Sequence, residues 1–407
     1  MQYQFTDLMR NAMFNPWSAI FDGTLEVVTH DCYPLKHTPF GRMQAASLES
    51  VSRLLSSYPK REFDIAEAVV DGRTLPVTER VVDQKPFCHL THFATENSET
   101  RPKVLIVAAL AGHHATLARE TYSAFLPDHD VYVTDWRDAR YVPMSAGSFG
   151  FEDYVRYLIE FLQFLGVDTH VVAICQATVP TLTAVAAMAG RNSPNRPRSM
   201  TLMAGPIDIR ANPGTMTRMA EYSSLSLQRM FTVMQVPPGY PGAGRRVYPG
   251  LVQLSAFLCF NLQSHLQKHV QFFFDVFNQE HGAAQKHREF YDEYFSVLDV
   301  AEEYYLETLE RVFFDQHLPK GTMQFDGSPV NCGDICDVPL LTVEGAEDDM
   351  CQVGMTAAAH DLCTGLDESQ RQHYVQPGVG HYGVFSGSRY RAEVAPRIKN
   401  FIESHSN

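Results

Sequence analysis

Three side chains whose types could combine in nucleophilic catalysis follow apolar stretches of this sequence. Cys175 comes directly after "HVVAI", Asp348 is the third residue after "LLTVEG", and His381 lies in "GVGHYGVFSG". A thiolate attacks carbonyl carbons, an imidazole takes and returns the proton, and a carboxylate holds the imidazole in one tautomer. Each residue also has an ordinary interpretation, as a small buried apolar side chain, a turn former and a core or surface histidine. The elements around them must therefore decide whether they meet.

Those elements predict a mostly parallel, doubly wound sheet. Apolar runs without polar alternation are typical of parallel strands covered on both faces. Six such runs occur, the last one weaker, at 103–110, 130–136, 169–175, 199–205, 338–345 and 371–378. Amphipathic helical segments separate them, as in 151–166, which ends at Gly166. Before the first run, alternation around Asp71-Gly72 predicts a β-hairpin. A hairpin leading into β-α repeats indicates an α/β protein.

The chain order of the candidate residues suits this architecture. Open α/β sheets bind ligands at the carboxyl ends of their strands, and each candidate follows such an end. Nucleophile, acid and then histidine is the order of the α/β-hydrolase fold. The sequence thus predicts that fold, with Cys175, Asp348 and His381 as the triad. A helix N-terminus behind Cys175 would favour the thiolate.

The β-α alternation is interrupted in the second half of the chain. The interruption holds a Pro- and Gly-rich stretch, 237–250, and then long aromatic helical segments. Such a length without strands is unusual unless it is functional, so we interpret it as a helical cap over the carboxyl ends of the strands. The predicted division is a helical extension, the first part of the core, the inserted cap and the second part of the core, at 1–60, 61–205, 206–336 and 337–407.

The turn that carries the nucleophile departs from the usual G-x-S-x-G pattern. Ala173 and Ala177 take the glycine positions; both are small, as a sharp turn requires, but less permissive than glycine. Asp349 is a rival for the acid. The third residue after Gly345 is the usual place in this fold, which favours Asp348.

Two backbone N–H groups are expected to form the oxyanion hole. One belongs to Gln176, and the other to Ala111 in the loop "ALAGHH" after the first apolar run. His113 and His114 of the same loop could line the site or cap the following helix.

Composition restricts the class of partner. The 407 residues carry a net charge of -14, which disfavours nucleic acid and anionic membrane surfaces, since both attract clustered Lys and Arg. No secretory signal and no apolar run of about 20 residues is visible, so we expect a soluble, cytoplasmic protein without a transmembrane segment. The eight cysteines lack a repeating spacing, which favours free thiols. "CGDIC" (332–336) has no second ligand pair, so no metal is expected.

Several long motifs resemble one family. The chain is similar to the intracellular polyhydroxyalkanoate (polyhydroxybutyrate) depolymerases of bacteria from "PFCHL" (86–90) almost to its end. The motifs that carry the resemblance are "LAGHHATLARETYSAFLPDHDVYVTDWRDAR", "VAICQATVP", "GPIDIR", "PGAGRRVYPG", "TVEGAEDDMCQVGMTAAAHDLC" and "GHYGVFSG". The resemblance implies an α/β-hydrolase with a Cys-His-Asp triad, carried here by Cys175, His381 and Asp348. Polyhydroxyalkanoate synthases are also similar in fold, but their box usually has glycines after the cysteine, unlike Gln176-Ala177-Thr178.

The resemblance further implies the substrate. It is the amorphous poly(3-hydroxybutyrate) of cytoplasmic storage granules, cleaved through a cysteinyl thioester to 3-hydroxybutyrate or short oligomers. Hydrolysis needs no cofactor, although coenzyme A could replace water as a co-substrate. The alternatives are a polyhydroxyalkanoate synthase or another cysteine-dependent acyltransferase or thioesterase, and a non-catalytic granule-binding protein. Oligomeric state, side-chain preference and internal or terminal cleavage stay open.

Aromatic and apolar stripes could touch the polymer, although core packing is the simpler interpretation. These residues are Phe272, Phe273, Phe274 and Phe277 in the cap and Phe5, Leu8, Met9 and Met13 near the N-terminus.

Overall fold

The computed structural model describes residues 3, 15–214, 217–218, 223–260 and 262–406. The N-terminal stripe of Phe5, Leu8, Met9 and Met13 lies outside them. A separate hairpin precedes the main sheet, with β1 (Glu67–Val70) antiparallel to β2 (Arg73–Pro76). Its two turn residues, Asp71 and Gly72, have φ values of 49° and 76°, as a two-residue hairpin turn requires. The predicted hairpin is confirmed, but it forms its own two-stranded sheet.

Eight strands form the central sheet. They are β3 (Thr78–Gln84), β4 (Cys88–Ala94), β5 (Lys103–Val107), β6 (Asp130–Trp136), β7 (Thr169–Ile174), β8 (Met200–Met203), β9 (Leu340–Gly345) and β10 (Arg371–Gln376). The order across the sheet is β3-β4-β6-β5-β7-β8-β9-β10. Only β4 runs against the others, because it alone pairs antiparallel on both sides. All six apolar runs of the sequence are strands of this sheet, and the predicted α/β-hydrolase fold is confirmed.

Burial explains why these runs lack alternation. Every residue of β6, β7 and β9 is buried, so both faces of these strands select apolar side chains. The last strand, β10, lies at the edge of the sheet and is largely exposed or half-buried. Its position accounts for the weaker apolar pattern.

Helices flank the sheet. In chain order they are α1 (Asn15–Thr29), α2 (Pro39–Leu55), α3 (Arg119–Phe125), α4 (Phe151–Leu165), α5 (Thr178–Gly190), α6 (Leu225–Thr232), α7 (Gly250–Phe260), α8 (Leu262–Phe277), α9 (His281–Tyr294), α10 (Glu302–Thr308), α11 (Ala359–Leu362), α12 (Gly387–Arg389) and α13 (Ala395–Ser404).

Two helices show how the sequence fixes these elements. The predicted apolar face of α4 is buried, and Gly166, with a φ of 87°, follows its last residue. Helix α5 is buried along nearly its whole length, because its own residues are small or apolar on every face. That burial makes α5 a rigid support for the turn before it.

The segment between β8 and β9 carries α6 to α10 and short two- and three-residue strands, namely Met234–Gln235, Arg246–Tyr248, Val300–Ala301, Gln324–Phe325 and Ser328–Pro329. Of its phenylalanines, Phe272 is buried and stacks on His287 with ring centroids 4.2 Å apart. Phe274 is exposed, and Phe273 and Phe277 are half-buried. Phe272 therefore belongs to the internal packing of this segment.

Salt bridges join this segment to the N-terminal helices. Arg288 of α9 binds Glu49 of α2 through two hydrogen bonds of 2.5 and 3.0 Å, and Arg53 binds Asp292 at 2.6 Å. Among the described residues, none of the helices has the length and apolar character needed to cross a bilayer.

Candidate active site

Cys175 occupies a strained turn between a strand and a helix. β7 ends at Ile174, a 3₁₀ turn covers Cys175–Ala177, and α5 begins at Thr178. The φ of Cys175 is 56°, a left-handed conformation that non-glycine residues rarely adopt and that recurs at functional sites. This geometry presents the sulfur at the carboxyl end of the sheet, beside the N-terminus of a helix.

The close approach of strand and helix explains why the flanking residues are small. Ala173 and Ala177 are fully buried on the two sides of the turn. At the end of the neighbouring strand β8, a Cβ built on Gly205 would lie 1.8 Å from Thr178 Oγ1. The first turn of α5 therefore leaves no room for a side chain at position 205.

The three candidate residues are brought together in a linear array. His381 Nε2 lies 3.1 Å from Cys175 Sγ, and His381 Nδ1 lies 2.8 Å from Asp348 Oδ2. Asp348 and His381 are both buried, whereas Cys175 is partly accessible. Distances in this range allow the imidazole to exchange a proton with the sulfur while the carboxylate holds it in place.

The loop after β9 orients the carboxylate. Asp348 Oδ1 accepts the backbone N–H groups of Met350 and Cys351 at 2.9 and 2.8 Å, which leaves Oδ2 for His381. The rival acid, Asp349, is exposed. The structure therefore places Asp348, as the sequence favoured, against the imidazole.

The surroundings of the sulfur favour a thiolate. The pKa of the Cys175 thiol lies well below its ordinary value, because a hydrogen bond from the Cys351 side chain stabilises the thiolate. Burial opposes this effect, whereas the charge and N–H of His381 and the backbone N–H of Gln176 reinforce it. Burial also lowers the pKa of His381, but the negative charges of Cys175 and Asp348 outweigh it and hold that pKa well above its ordinary value. Both shifts favour a thiolate at Cys175 beside an imidazolium at His381.

Cys351 is a residue that the sequence analysis missed as part of this site. It is buried, and its hydrogen bond to Cys175, together with burial, raises the pKa of its own thiol well above the ordinary value. Cys351 therefore remains a protonated donor while Cys175 is ionised. Its place three residues after Asp348 was a signal, since the backbone N–H of Cys351 binds that carboxylate.

The expected oxyanion donors lie beside the nucleophile. The N–H of Gln176 already points at the Cys175 sulfur. Ala111 lines both cavities that meet at Cys175. The loop that carries it is fixed at its start, because the N–H of Ala108 binds Thr134 Oγ1 at 2.9 Å and its carbonyl accepts the Trp136 N–H at 2.8 Å.

The two histidines of this loop line the site and do not cap the next helix. His113 Nε2 lies 3.1 Å from the carbonyl oxygen of Tyr294. His114 precedes a 3₁₀ turn without a side-chain capping bond. Both imidazoles border the cavity at Cys175 and His381, and burial, as the main cause, lowers the pKa of His113 to about 4 and that of His114 to about 3. Both are therefore neutral near pH 7.

Two cavities of unequal size meet at the sulfur. The large cavity, about 380 Å³, is mostly apolar, and aromatic side chains of the segment between β8 and β9 form much of its wall, among them Tyr248, Phe257, Tyr304 and Phe313. The small cavity, about 60 Å³, lies between the loop after β5 and the turn at His381. A separate cleft of about 690 Å³ has only His114 in common with the small cavity.

The cysteines and the acidic groups offer no obvious metal site in the part of the chain that the structure describes. No group of three or more His, Cys, Asp or Glu side chains there could hold a metal ion. In "CGDIC", Cys332 is buried and Cys336 is exposed, and both are free thiols. The arrangement at Cys175 is suited to acyl transfer by nucleophilic and general acid–base catalysis.

Comparison with known proteins links the C-terminal half of the chain to a family. Residues 204–406 match the family described as PHB de-polymerase C-terminus. No curated protein matches the chain in sequence.

Similar solved structures include three hydrolases. They are an alpha/beta hydrolase from Penicillium sp. sh18 (13% identity, 82% of this chain and 99% of that chain, TM-score 0.47), a 2-hydroxy-6-oxo-6-phenylhexa-2,4-dienoate hydrolase from Rhodococcus sp. strain RHA1 (12%, 81% and 100%, 0.44) and a monoacylglycerol lipase from Paleococcus ferrophilus (11%, 75% and 96%, 0.41).

Proposed function

We propose, from the premise that this chain belongs to the PHB de-polymerase family through its residues 204–406, that it cleaves ester bonds of poly(3-hydroxybutyrate). The observation that carries the proposal is the array of Cys175, His381 and Asp348 with spacings of 3.1 and 2.8 Å. The coarser activity is that of a carboxylic ester hydrolase, and the cysteine nucleophile is part of the proposal.

The first half-reaction forms a thioester. The thiolate of Cys175 attacks the ester carbonyl carbon, and the carbonyl oxygen becomes an oxyanion next to the N–H groups of Gln176 and Ala111. When the carbon–oxygen bond to the alcohol breaks, the imidazolium of His381 gives its proton to the departing oxygen. Since His381 is already protonated beside the thiolate, no separate proton transfer must precede the attack.

The second half-reaction releases the acid. His381, now neutral, takes a proton from water as the water oxygen attacks the thioester carbon. The carbon–sulfur bond breaks, the thiolate returns, and a chain with a new carboxyl group leaves. The thiol of coenzyme A could take the place of water and give a thioester product, so hydrolysis and thiolysis share every residue named here.

The cavities support a polyester substrate. The large cavity is mostly apolar and aromatic, which suits a chain of methyl-bearing ester units without charges. Among the residues that the structure describes, no Asp, Glu, Lys, Arg or His side chain lines it, so an ionised substrate would lose its hydration there without a countercharge.

Incubation of the purified protein with amorphous polymer, with and without coenzyme A, tests the proposal when products are identified by mass. We expect 3-hydroxybutyrate or short oligomers, and their loss in Cys175→Ala, Asp348→Asn and His381→Gln. A protein that binds granules but releases nothing would instead be a non-catalytic granule protein. Offering 3-hydroxybutyryl-coenzyme A separates the remaining alternatives, because a synthase would form polymer and a thioesterase would form free acid.

Contact with the granule is a further part of the proposal. Four apolar side chains spaced by four residues along α8 are exposed by 48–57%, namely Leu262, Leu266, Val270 and Phe274. Such a stripe is suited to an insoluble apolar surface in the cytoplasm. Leu266→Glu with Val270→Glu should reduce co-sedimentation with amorphous granules while hydrolysis of a soluble hydroxybutyrate ester persists. Unchanged co-sedimentation would reject this surface.

A further inference from the structure

The two cavities at Cys175 differ in which catalytic groups they contain. They share Ala111, Cys175, Phe257 and Met350, but His381 lines only the small cavity. Since His381 protonates the departing oxygen, the alcohol portion of the ester must lie on its side. The acyl portion then extends into the large cavity, which Gln176 lines and His381 does not.

The sizes of the cavities limit what each can hold. A cavity needs at least about 10–15 Å³ to hold one water molecule. The small cavity, about 60 Å³, therefore holds only a few water-sized groups, which suits a single terminal hydroxybutyrate unit and no longer chain. The large cavity, about 380 Å³, has room for several units. The alcohol that leaves is therefore short, whereas the acyl chain that stays is long.

One polar group of the small cavity lacks a partner. The His114 side chain is 7% exposed, and its buried Nδ1 makes no hydrogen bond. Burial keeps this imidazole neutral, so in one tautomer Nδ1–H is a donor. The cations Lys60 and Arg140 add to the lowering of the pKa of His114. Each of these cations is also paired with a carboxylate, Lys60 with Asp135 and Arg140 with Asp138.

We infer that the small cavity is the subsite for the carboxyl-terminal unit of the polymer, with His114 as the donor to its carboxyl group. This inference rests on the proposed function and adds direction to it. Cleavage breaks the last ester bond, His381 protonates the hydroxyl oxygen of the terminal unit, and that unit leaves as 3-hydroxybutyrate. The rest of the chain stays on Cys175 as a thioester until water releases it one unit shorter. The chain is thus shortened from its carboxyl end.

Oligomers of about eight units, capped at the hydroxyl end and isotopically labelled in the carboxyl-terminal unit, test this direction. We expect labelled monomer and capped chains one unit shorter as the first products. Capped fragments of many lengths at the earliest times would overturn the inference. Ethyl 3-hydroxybutyrate, whose leaving group has no carboxyl, distinguishes failure of the subsite from failure of the proposed function. If Cys175 is needed for its hydrolysis but oligomers are cut internally, only the subsite is wrong, whereas no hydrolysis of either rejects the proposed function as well.

Variants of His114 test the donor. The wild type should prefer an oligomer with a free terminal carboxyl over its methyl ester in kcat/KM, and His114→Leu should reduce this preference about tenfold or more, since hydrogen bonds to charged groups are the stronger ones. His114→Gln keeps an N–H donor and should retain part of the preference. His281→Leu, at an exposed position outside both cavities, is the matched control, and melting temperatures verify that each variant is folded. An unchanged preference in a folded His114→Leu would overturn the assignment.

Enlarging the small cavity provides a gain of function that loss of folding cannot imitate. Leu117 lines this cavity and is half-buried. Leu117→Ala should therefore admit a longer leaving chain, and labelled dimer should appear beside labelled monomer. Monomer as the sole early product of an active Leu117→Ala would show that size does not set the cleavage position.

Discussion

The Cys175 sulfur is stabilised as a thiolate by three neighbours, the Cys351 thiol, the His381 imidazolium and the Gln176 N–H. Because its pKa is lowered, the thiolate persists as the pH falls below the ordinary thiol pKa of about 8.5. We expect alkylation of Cys175 by iodoacetamide to proceed at pH ~6.5 nearly as fast as at pH ~8.5, whereas an ordinary thiol would slow by about 50-fold. Labelling followed by peptide mass, with Cys175→Ser as background, checks this. A rate proportional to that of free cysteine would contradict the ion pair.

The Cys351 thiol contributes through a hydrogen bond to the nucleophile. Cys351→Ala removes that donor, so the pKa of Cys175 should rise and the acid limb of the kcat/KM profile should move to higher pH. Cys351→Ser supplies a hydroxyl donor and should restore much of the original profile. An equal loss of rate at every pH, with the limb unmoved, would instead indicate that Cys351 only fills space.

The adjacent acids Asp348 and Asp349 form a matched pair of positions. Asp348→Asn should lower kcat by about 10²–10⁴, since the amide no longer fixes the tautomer and charge of His381. Asp349→Asn, at an exposed site, should stay within about twofold. Steady-state hydrolysis of a soluble ester measures both, and similar losses in the two variants would show that the acid was misassigned.

At the scale of elements, the turn after β7 depends on its fit against the end of β8. Gly205→Ala would place a Cβ within 1.8 Å of Thr178 Oγ1, so the free energy of unfolding should fall by about 1–3 kcal/mol. Gly282→Ala is the control, because a Cβ there meets nothing within 4 Å in α9 and should stabilise by up to about 1 kcal/mol. Urea unfolding compares them. Equal effects of the two substitutions would mean that the contact at Thr178 relaxes freely.

At the scale of the whole molecule, ion pairs fasten the N-terminal helices to the segment between β8 and β9. Glu49 and Arg288 form a bidentate pair that is largely shielded from solvent. A double-mutant cycle with alanine at both positions should give a coupling of about 1 kcal/mol that weakens with salt. The pair of Lys36 with the exposed Asp31 is the control and should show no measurable coupling. Equal coupling for both pairs would contradict the role of shielding.

The sequence by itself determined the strands and the order of the reactive residues. Continuous apolar runs mark β5 to β9 because those strands are covered on both faces, and Asp71-Gly72 marks the hairpin because its turn needs two positive φ angles. Each of these signals depends only on residues close together in the chain, so it can be recognised in the sequence. The local pattern also limited the catalytic acid to Asp348 or Asp349. It indicated the loop 109–114 for the oxyanion hole and small residues on both sides of the nucleophile.

Only the tertiary structure decided what surrounds the sulfur. Cys351 and His114 meet the site from loops that follow different strands, and the two unequal cavities depend on side chains from the segment between β8 and β9. Contacts between residues far apart in the chain produce no periodic pattern in the sequence. Each of these side chains, taken alone, could equally be an ordinary buried residue. The sequence therefore identified the residues that could do chemistry, whereas packing fixed the ionisation of Cys175 and the space on each side of it.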